Sequence, residues 1–358
     1  MSKFFPLTVS DVKRDTRDAV VLTLQAPETC AEQFRFRQGQ YVTLRTKLDG
    51  EEVRRSYSIC SGVNDGTLRV GIKRVNGGLF STFANEHLLA GAVIDAMPPM
   101  GNFNVPLDKA NAKHYVGFAS GSGITPLISI IRTTLESEPK SSFTLFYGNR
   151  ASSTIMFRDE LEDLKNTYLG RFSLIHILSR EQQDVELFNG RLTGAKCDEL
   201  CERWLRVASI DTAFICGPQD MMTEIAASLQ KHGLNKSQIK FELFASADSG
   251  KRVKREAAAA ADKGGNTCQV TIIMDGHARQ FEMEKGSISV LDAASRNGIE
   301  APFACKAGVC STCRAKITGG EVDMDANFSL EDYEIAHGYV LTCQSYPVTN
   351  TITIDFDK

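Results

Sequence analysis

The chain has 358 residues, 42% hydrophobic and 24% charged, with a net charge of −3. That length exceeds what one hydrophobic core ordinarily supports, so two or three domains are expected, and the balance excludes a disordered chain, a membrane protein and a basic nucleic-acid binder. The opening MSKFFPLTVSDVKRD meets charge within a few residues and no eighteen-residue apolar span follows, so the expected location is the cytoplasm, with no membrane partner. In chain order, residues 1–108 read as short β-rich runs, AVVLTLQA, QYVTLRTK, RSYSICS and TLRVGIKRV, broken by Gly, Asn and Asp, which predict an antiparallel barrel or sandwich. Across 109–245, apolar strands such as HYVGFA, SFTLFYG, FSLIHIL and TAFICG alternate with helical stretches such as PLISIIRTTLES and FRDELEDLKNTY. This texture predicts a parallel α/β sheet. Residues 246–266, polar and of low complexity, read as an interdomain tether. Within 267–358, VTIIMDGHARQFEME reads as a hairpin turned at Asp275-Gly276, followed by the amphipathic VLDAASRNG and then FACKAGVCSTCRAK.

Ten cysteines in a long chain without an export signal fit thiol chemistry better than a disulfide framework. Cys305, Cys310 and Cys313 form C-x4-C-x2-C, and Cys343 follows after 29 intervening residues. This is the plant-type [2Fe-2S] spacing, in which four thiolates hold two irons. Backbone N–H groups must approach the negative sulfurs, and Ala307, Gly308, Ser311 and Thr312 are small enough to allow it. No histidine stands at a ligand position, which excludes a Rieske centre. Zinc is the competing reading, but structural zinc prefers paired C-x2-4-C knuckles and Cys343 has no near partner. The other cysteines lack such grouping, and Cys197 and Cys201 lie in a helical stretch that suits packing. The six histidines form no HExxH or HxH pair.

Such a cluster takes single electrons at roughly −400 mV and cannot accept a hydride, so a flavin is expected upstream to split the pair. Arg55-Ser56-Tyr57-Ser58 offers an arginine for the flavin phosphate, an aromatic for the isoalloxazine and a hydroxyl within reach of N5. Gly77-Gly78-Leu79-Phe80-Ser81 precedes a predicted short helix whose N–H groups can receive a pyrophosphate. VGFASGSGITPLISI runs strand, glycine loop, helix: Gly121 and Gly123 allow close backbone approach, Thr125 can cap, and Pro126 is expected at the first helical position. No third glycine and no acidic residue for a ribose 2′-hydroxyl follow, which tells against an ordinary Rossmann NAD dehydrogenase. FICGPQDMM places Cys216-Gly217-Pro218 directly after a strand, where a carboxyl-end loop meets a ligand crevice.

These four landmarks resemble the ferredoxin-NADP reductase superfamily across residues 1 to 245, and the cysteine-bearing segment resembles a plant-type ferredoxin domain, a β-grasp fold. The whole chain resembles the reductase components of multicomponent oxygenases, most closely those of bacterial phenylacetyl-CoA epoxidases. The resemblance implies an antiparallel β-barrel flavin domain, an α/β nucleotide domain and a β-grasp ferredoxin domain. It assigns FAD to Arg55, Tyr57, Ser58, Val70, Gly71, Lys73, Gly78 and Ser81. NADPH falls to Gly121, Gly123, Thr125, Cys216 and Gly217, with Ser58 and Cys216 at the reacting atoms. Phe244 is either a flavin cover or a core phenylalanine. Arg150 closes the strand FTLFYGNR, Ser179-Arg180 follows the strand FSLIHIL and Arg191 sits in NGRLTG, and their matching positions in NADPH-using relatives line the 2′-phosphate pocket; solvated surface arginines are the alternative. Electrons would pass from NADPH through FAD and the [2Fe-2S] cluster to a di-iron oxygenase component. A Rieske or other di-iron oxygenase as acceptor, and a non-enzymatic carrier or zinc-stabilised module, are the rival readings.

Overall fold

In the computed structural model, residues 4–244 and 267–358 are described; the tether expected at 246–266 lies outside the described residues. Phe4–Phe244 forms one unit and the C-terminal residues belong to a second.

The first sheet contains β1 (Phe5–Thr16), β2 (Ala19–Gln25), β3 (Tyr41–Leu48), β4 (Glu51–Ser58), β5 (Leu68–Lys73) and β6 (Val93–Ala96), with α1 (Leu79–Glu86) between the last two. All pairings are antiparallel, in the order β4-β3-β6-β1-β2-β5. A bridge between Ile59, just past β4, and Val70 in β5 joins the two edge strands and closes a barrel. Closure removes exposed sheet edges and encloses a core that includes Leu7, Leu22, Leu44, Ile59 and Val70. Neither β1 nor β6 is among the strands expected from sequence. Only Phe5, Leu7 and Val9 of β1 alternate into the core; its second half is polar and interrupted by bulges after Val9 and Arg14, which hides the period-2 signal.

The second sheet comprises β7 (His114–Ser120), β8 (Ser142–Asn149), β9 (Phe172–Leu178), β10 (Thr212–Gly217) and β11 (Ile239–Leu243). Its helices are α2 (Ile124–Ser137), α3 (Arg158–Thr167), α4 (Gly194–Arg203) and α5 (Gln219–Lys231). The strands are parallel in the order β11-β10-β7-β8-β9. The order reverses at β7, so the loops after β7 and β10 flank the point where open α/β sheets bind ligands. Helix α2 starts two residues before Pro126, with Gly123 at its N-cap, while Thr125 Oγ1 donates to the Ser122 carbonyl at 3.0 Å. Proline is tolerated there because first-turn N–H groups have no partner within the helix.

Barrel and parallel sheet are fastened by a half-buried ionic knot. Arg69 of β5 donates twice to Glu160 of α3, at 2.6 and 3.1 Å, and Arg132 of α2 donates to the same carboxylate at 3.1 Å. Asp15 of β1 accepts the Phe157 N–H, with Phe157 in the left-handed region at φ 56°. The Phe157 ring seats against Gly71: a Cβ there would lie 2.9 Å from Phe157 Cζ and 2.9 Å from Thr125 Cγ2.

The C-terminal unit is a mixed sheet with a helix laid on it. β12 (Thr267–Met274) and β13 (His277–Glu284) form the expected hairpin, with Asp275 and Gly276 at positive φ and the Asp357 carboxylate accepting both their N–H groups. Helix α6 (Val290–Arg296) follows, then β14 (Arg314–Gly319), β15 (Val322–Met324), α7 (Asp332–Ala336), β16 (Tyr339–Leu341), β17 (Ser345–Pro347) and β18 (Thr351–Asp355). The sheet order is β13-β12-β18-β14-β16, with β12 and β18 parallel, and β15 pairs separately with β17. Val290, Ala293 and Ala294 of α6 pack into its core beside Val270, Ile272 and Ile354.

Burial alone would raise the Glu160 pKa, but the Arg69 hydrogen bonds and the Arg69 and Arg132 charges hold it below the ordinary carboxylate range. Replacing it strands two partly buried guanidinium groups, so Glu160→Leu is expected to cost about 2–4 kcal/mol of unfolding free energy at pH 7. The wild-type advantage is fully present above the unfolded carboxylate pKa and is lost as pH falls through the depressed folded value. Denaturant curves of the two proteins should therefore converge in acid, and equal stability at pH 7 contradicts the role given to the knot.

Candidate functional site

Barrel closure gathers the flavin candidates along one seam. Tyr57 on β4 packs its ring 5.4 Å from that of Phe80 in the first turn of α1, so R-x-Y-S and GGLFS meet in space. Arg55 lies two residues earlier on the same strand face, exposed, with Nη1 on the Arg54 carbonyl at 2.7 Å. Gly78 is the N-cap of α1; Ser81 Oγ donates to the Gly78 carbonyl at 3.1 Å and accepts the Val75 N–H at 3.1 Å, which fixes the loop entering the helix. Lys73 ends β5 with its Nζ 3.9 Å from Asp18. Val70 is wholly buried in the barrel core, and Gly71 is the close-approach point for Phe157. Those two positions therefore contribute backbone and packing to the seam. A basic group, an aromatic ring and a helix N-terminus lined up in this way fit an extended dinucleotide such as FAD.

At the end of the seam, barrel meets sheet. Ser58 Oγ donates to Glu242 Oε2 at 2.8 Å, and Glu242 on β11 is in register with Cys216 on β10. Gly123 lies directly beneath Cys216, where a Cβ would fall 2.1 Å from the Cys216 carbonyl oxygen, so no other residue fits. Gly121, at φ +54°, faces open space, and Gly217 fits between Ser120 and Met221. Thr125 is buried beside this loop. Burial pushes the Glu242 pKa up to about 7, against the lowering effect of the Ser58 hydroxyl. Burial, with the Glu242 charge adding to it, keeps the Cys216 thiol protonated. Phe244, one residue past β11, is half-buried against the core of the parallel sheet.

The three candidate arginines come together through the backbone. Arg180 N–H donates to the Arg150 carbonyl at 2.8 Å, Ser179 N–H to the Asn149 carbonyl at 3.0 Å, and Gly190 N–H to the Leu178 carbonyl at 2.8 Å, which carries Arg191 alongside. All three arginines are exposed at the carboxyl end of the sheet. Glu181 accepts from both the N–H and the hydroxyl of Ser152, at 2.7 and 3.0 Å, and so pins the turn after Arg150 to the turn after β9.

In the C-terminal unit the four candidate ligands fall into two couples. Cys310 Sγ lies 3.1 Å from Cys305 Sγ, while Cys313 and Cys343 hydrogen-bond to each other. Among the described residues, no three His, Cys, Asp or Glu side chains converge on one metal ion. Two thiol couples, each suited to one metal atom, fit a two-iron cluster and not a single zinc. The hydrogen bond from Cys310, with the N–H groups of Ala307, Val309 and Cys310, draws the Cys305 pKa down to about 6. Cys343 is lowered by Cys313, with the Gly308 N–H and the Gln344 side chain assisting. Gly308, at φ +74°, could carry no Cβ, which would lie 2.8 Å from the Ala326 carbonyl oxygen.

Three family models match this chain in order: an oxidoreductase FAD-binding domain over residues 6–105, an oxidoreductase NAD-binding domain over 118–227 and a 2Fe-2S iron-sulfur cluster binding domain over 272–348. Over 357 residues the chain is 43% identical to a component of the 1,2-phenylacetyl-CoA epoxidase of Escherichia coli K12, covering 100% of this chain and 99% of that one. It belongs to the oxygenase reductase components. A 3-ketosteroid-9-alpha-monooxygenase ferredoxin reductase component of Mycolicibacterium smegmatis is 31% identical over 100% of this chain and 98% of its own length. Among solved structures, phthalate dioxygenase reductase matches the fold with a TM-score of 0.59 at 21% identity over 99% of this chain and 98% of that one. An intact type IV self-sufficient cytochrome P450 monooxygenase matches with a TM-score of 0.68 at 19% identity, with 98% of this chain spanning 41% of its length. The reductase is thus an NAD(P)H-dependent oxidoreductase with FAD-, NAD- and [2Fe-2S]-binding domains. Among its described residues no helix is long and apolar enough to cross a membrane.

Glu242 is the residue of the reductase's crevice that sequence reasoning missed. The available signal was a lone carboxylate inside the strand IKFEL, but its contact with Ser58 crosses 184 positions and no local pattern reveals it. Because its folded pKa is raised, the native state holds a proton that the unfolded chain gives up between about pH 4.5 and 7, so this group makes stability fall with rising pH across that window. Glu242→Gln removes the effect. Its unfolding free energy relative to wild type should therefore rise between pH 5 and pH 8, by up to roughly 3 kcal/mol. A difference that stays constant across those two pH values contradicts the assignment.

Proposed function

We propose that the reductase oxidises NADPH and delivers electrons to the di-iron oxygenase component of a phenylacetyl-CoA epoxidase. The observation that carries the acceptor is the 43% identity over essentially the full length of both chains, against 31% for the steroid monooxygenase component. When bound, FAD supplies hydride acceptance with release of electrons one at a time, and the [2Fe-2S] cluster carries them singly onward. The chain supplies position and electrostatics. Arg55, Tyr57, Ser58, the β5 backbone from Val70 to Lys73, and Gly78 to Ser81 hold FAD along the seam. Gly121, Gly123, Thr125 and Gly217 shape the crevice floor so that a nicotinamide ring can lie flat beside Ser58 and Cys216. Cys216 presents a neutral thiol there and so adds no charge beside a cationic ring. Glu242, titrating near neutrality and bonded to Ser58, holds a proton at the same point. Cys305, Cys310, Cys313 and Cys343 ligate the irons in two couples. Phe244 acts as packing at the mouth of the crevice. The boundaries 1–108, 109–245, 246–266 and 267–358 and a cytoplasmic location belong to the same proposal.

Preference for NADPH rests on Arg150, Ser179, Arg180 and Arg191, which present three guanidinium groups and a hydroxyl where a 2′-phosphate of about two negative charges would sit. A hydrogen bond to a charged group contributes roughly 1.5–3 kcal/mol, so Arg180→Ala should raise KM for NADPH by about ten- to a hundredfold and leave NADH turnover unchanged. An unaltered NADPH-to-NADH ratio contradicts the pocket. The second reading, another oxygenase as acceptor, draws on the steroid monooxygenase relative and on the 30% identity over 90% of the chain to a glycine betaine monooxygenase reductase component of Pseudomonas aeruginosa. Reconstitution with each oxygenase separates the two, because only the true acceptor couples NADPH oxidation to product.

A further inference from the structure

Gln344 directly follows the last cysteine ligand, and its side chain joins the two halves of the cluster loop. Its Nε2 donates to the Lys306 carbonyl at 3.0 Å, inside the loop between Cys305 and Cys310, and lies 3.8 Å from Cys343 Sγ, within reach for a hydrogen bond to sulfur. The same nitrogen donates to the carbonyl oxygen of Cys343 at 3.1 Å, so the hydrogen aimed at Cys343 is shared between its carbonyl oxygen and its sulfur. Its backbone is also committed: the Gln344 N–H donates to the Leu341 carbonyl at 2.9 Å, and the Gln344 carbonyl accepts the Asp325 N–H at 3.0 Å. The stem of the side chain packs closely against Gly308, where a Cβ would lie 3.1 Å from Gln344 Cγ. The amide thus links the loop between Cys305 and Cys310 to Cys343.

We propose that Gln344 is a positioning residue for the [2Fe-2S] cluster: its amide fastens the first thiolate loop to Cys343 and raises the reduction potential by donating a hydrogen bond to the Cys343 sulfur. The inference rests on the reading of the four cysteines as cluster ligands. Reduction adds an electron to an already anionic cluster, and a donor aimed at a ligand sulfur stabilises that added charge. Gln344 is the side chain that supplies such a donor to Cys343, and a methionine in its place would keep the volume and lose the N–H.

The test is an EPR-monitored redox titration of the full-length holoprotein, wild type against Gln344→Met and Gln344→Glu, with iron and acid-labile sulfide measured alongside. At the wild-type midpoint, Gln344→Met is expected to lower the ratio of reduced to oxidised cluster about tenfold, and Gln344→Glu further because it adds a negative charge, with altered g-values in both and an unchanged flavin midpoint. A ratio changed less than twofold with the wild-type spectrum retained would overturn the proposal. If the variants do not assemble a cluster, wild-type protein labelled with 15N at the glutamine side-chain amide decides: pulsed EPR of the reduced cluster should show a 15N coupling, and its absence overturns the proposal. Wild-type protein lacking acid-labile sulfide would instead refute the cluster reading itself.

Discussion

A single hydrogen bond, from Ser58 Oγ to Glu242 Oε2 at 2.8 Å, ties the closing end of the flavin barrel to the edge strand of the parallel sheet across 184 positions of chain. The crevice exists because these two elements come this close, and they can do so because glycines stand where the backbones nearly touch. Gly71 under the Phe157 ring is a position where a side chain would push barrel and sheet apart, and Gly123 under the Cys216 carbonyl is one where it would push the loop after β7 off β10 within the sheet half. The ionic knot around Glu160 and the Asp15 contact to the Phe157 N–H fasten the same two halves. Closeness also sets the electrostatics: a carboxylate placed where water is excluded titrates near neutrality, and a thiol placed beside it stays uncharged.

The two units solve opposite electrostatic problems. The crevice shifts its acid and its thiol toward their neutral forms, the acid titrating near neutrality and the thiol staying uncharged. The cysteine loop does the reverse, aiming the N–H groups of Ala307, Val309 and Cys310 at Cys305 and that of Gly308 at Cys343, so that one sulfur of each couple is drawn toward thiolate. A positive φ at Lys306 and at Gly308 turns the backbone into the concave shape that makes this possible.

What the sequence disclosed follows from how local each constraint is. The cysteine spacing, the Asp275-Gly276 turn and the glycine loop after β7 are each imposed by chemistry or backbone geometry within a dozen residues, and each is found where the pattern puts it. Strand β1 escaped because half of it is polar and bulged, and its place in the sheet comes from pairing with β2 and β6 and not from its own alternation. Helix α2 begins two residues before Pro126, with Gly123 at its N-cap packed beneath the Cys216 carbonyl, a contact made from a strand ninety-odd residues later. Glu242 was hidden for the same reason. Gly71, grouped from the family resemblance with the flavin contacts, also has a packing role between barrel and sheet, which only the position of Phe157 reveals.

The central claim is that one chain joins a two-electron donor site to a one-electron cluster. Anaerobic rapid mixing of the purified protein with NADPH, followed by visible absorbance and freeze-quench EPR, addresses it most directly. The account predicts loss of the flavin band first and then the EPR signal of a reduced [2Fe-2S] centre, in protein carrying about two irons and two acid-labile sulfides per chain. Flavin bleaching with the cluster left oxidised, or protein that contains no labile sulfide, would contradict it.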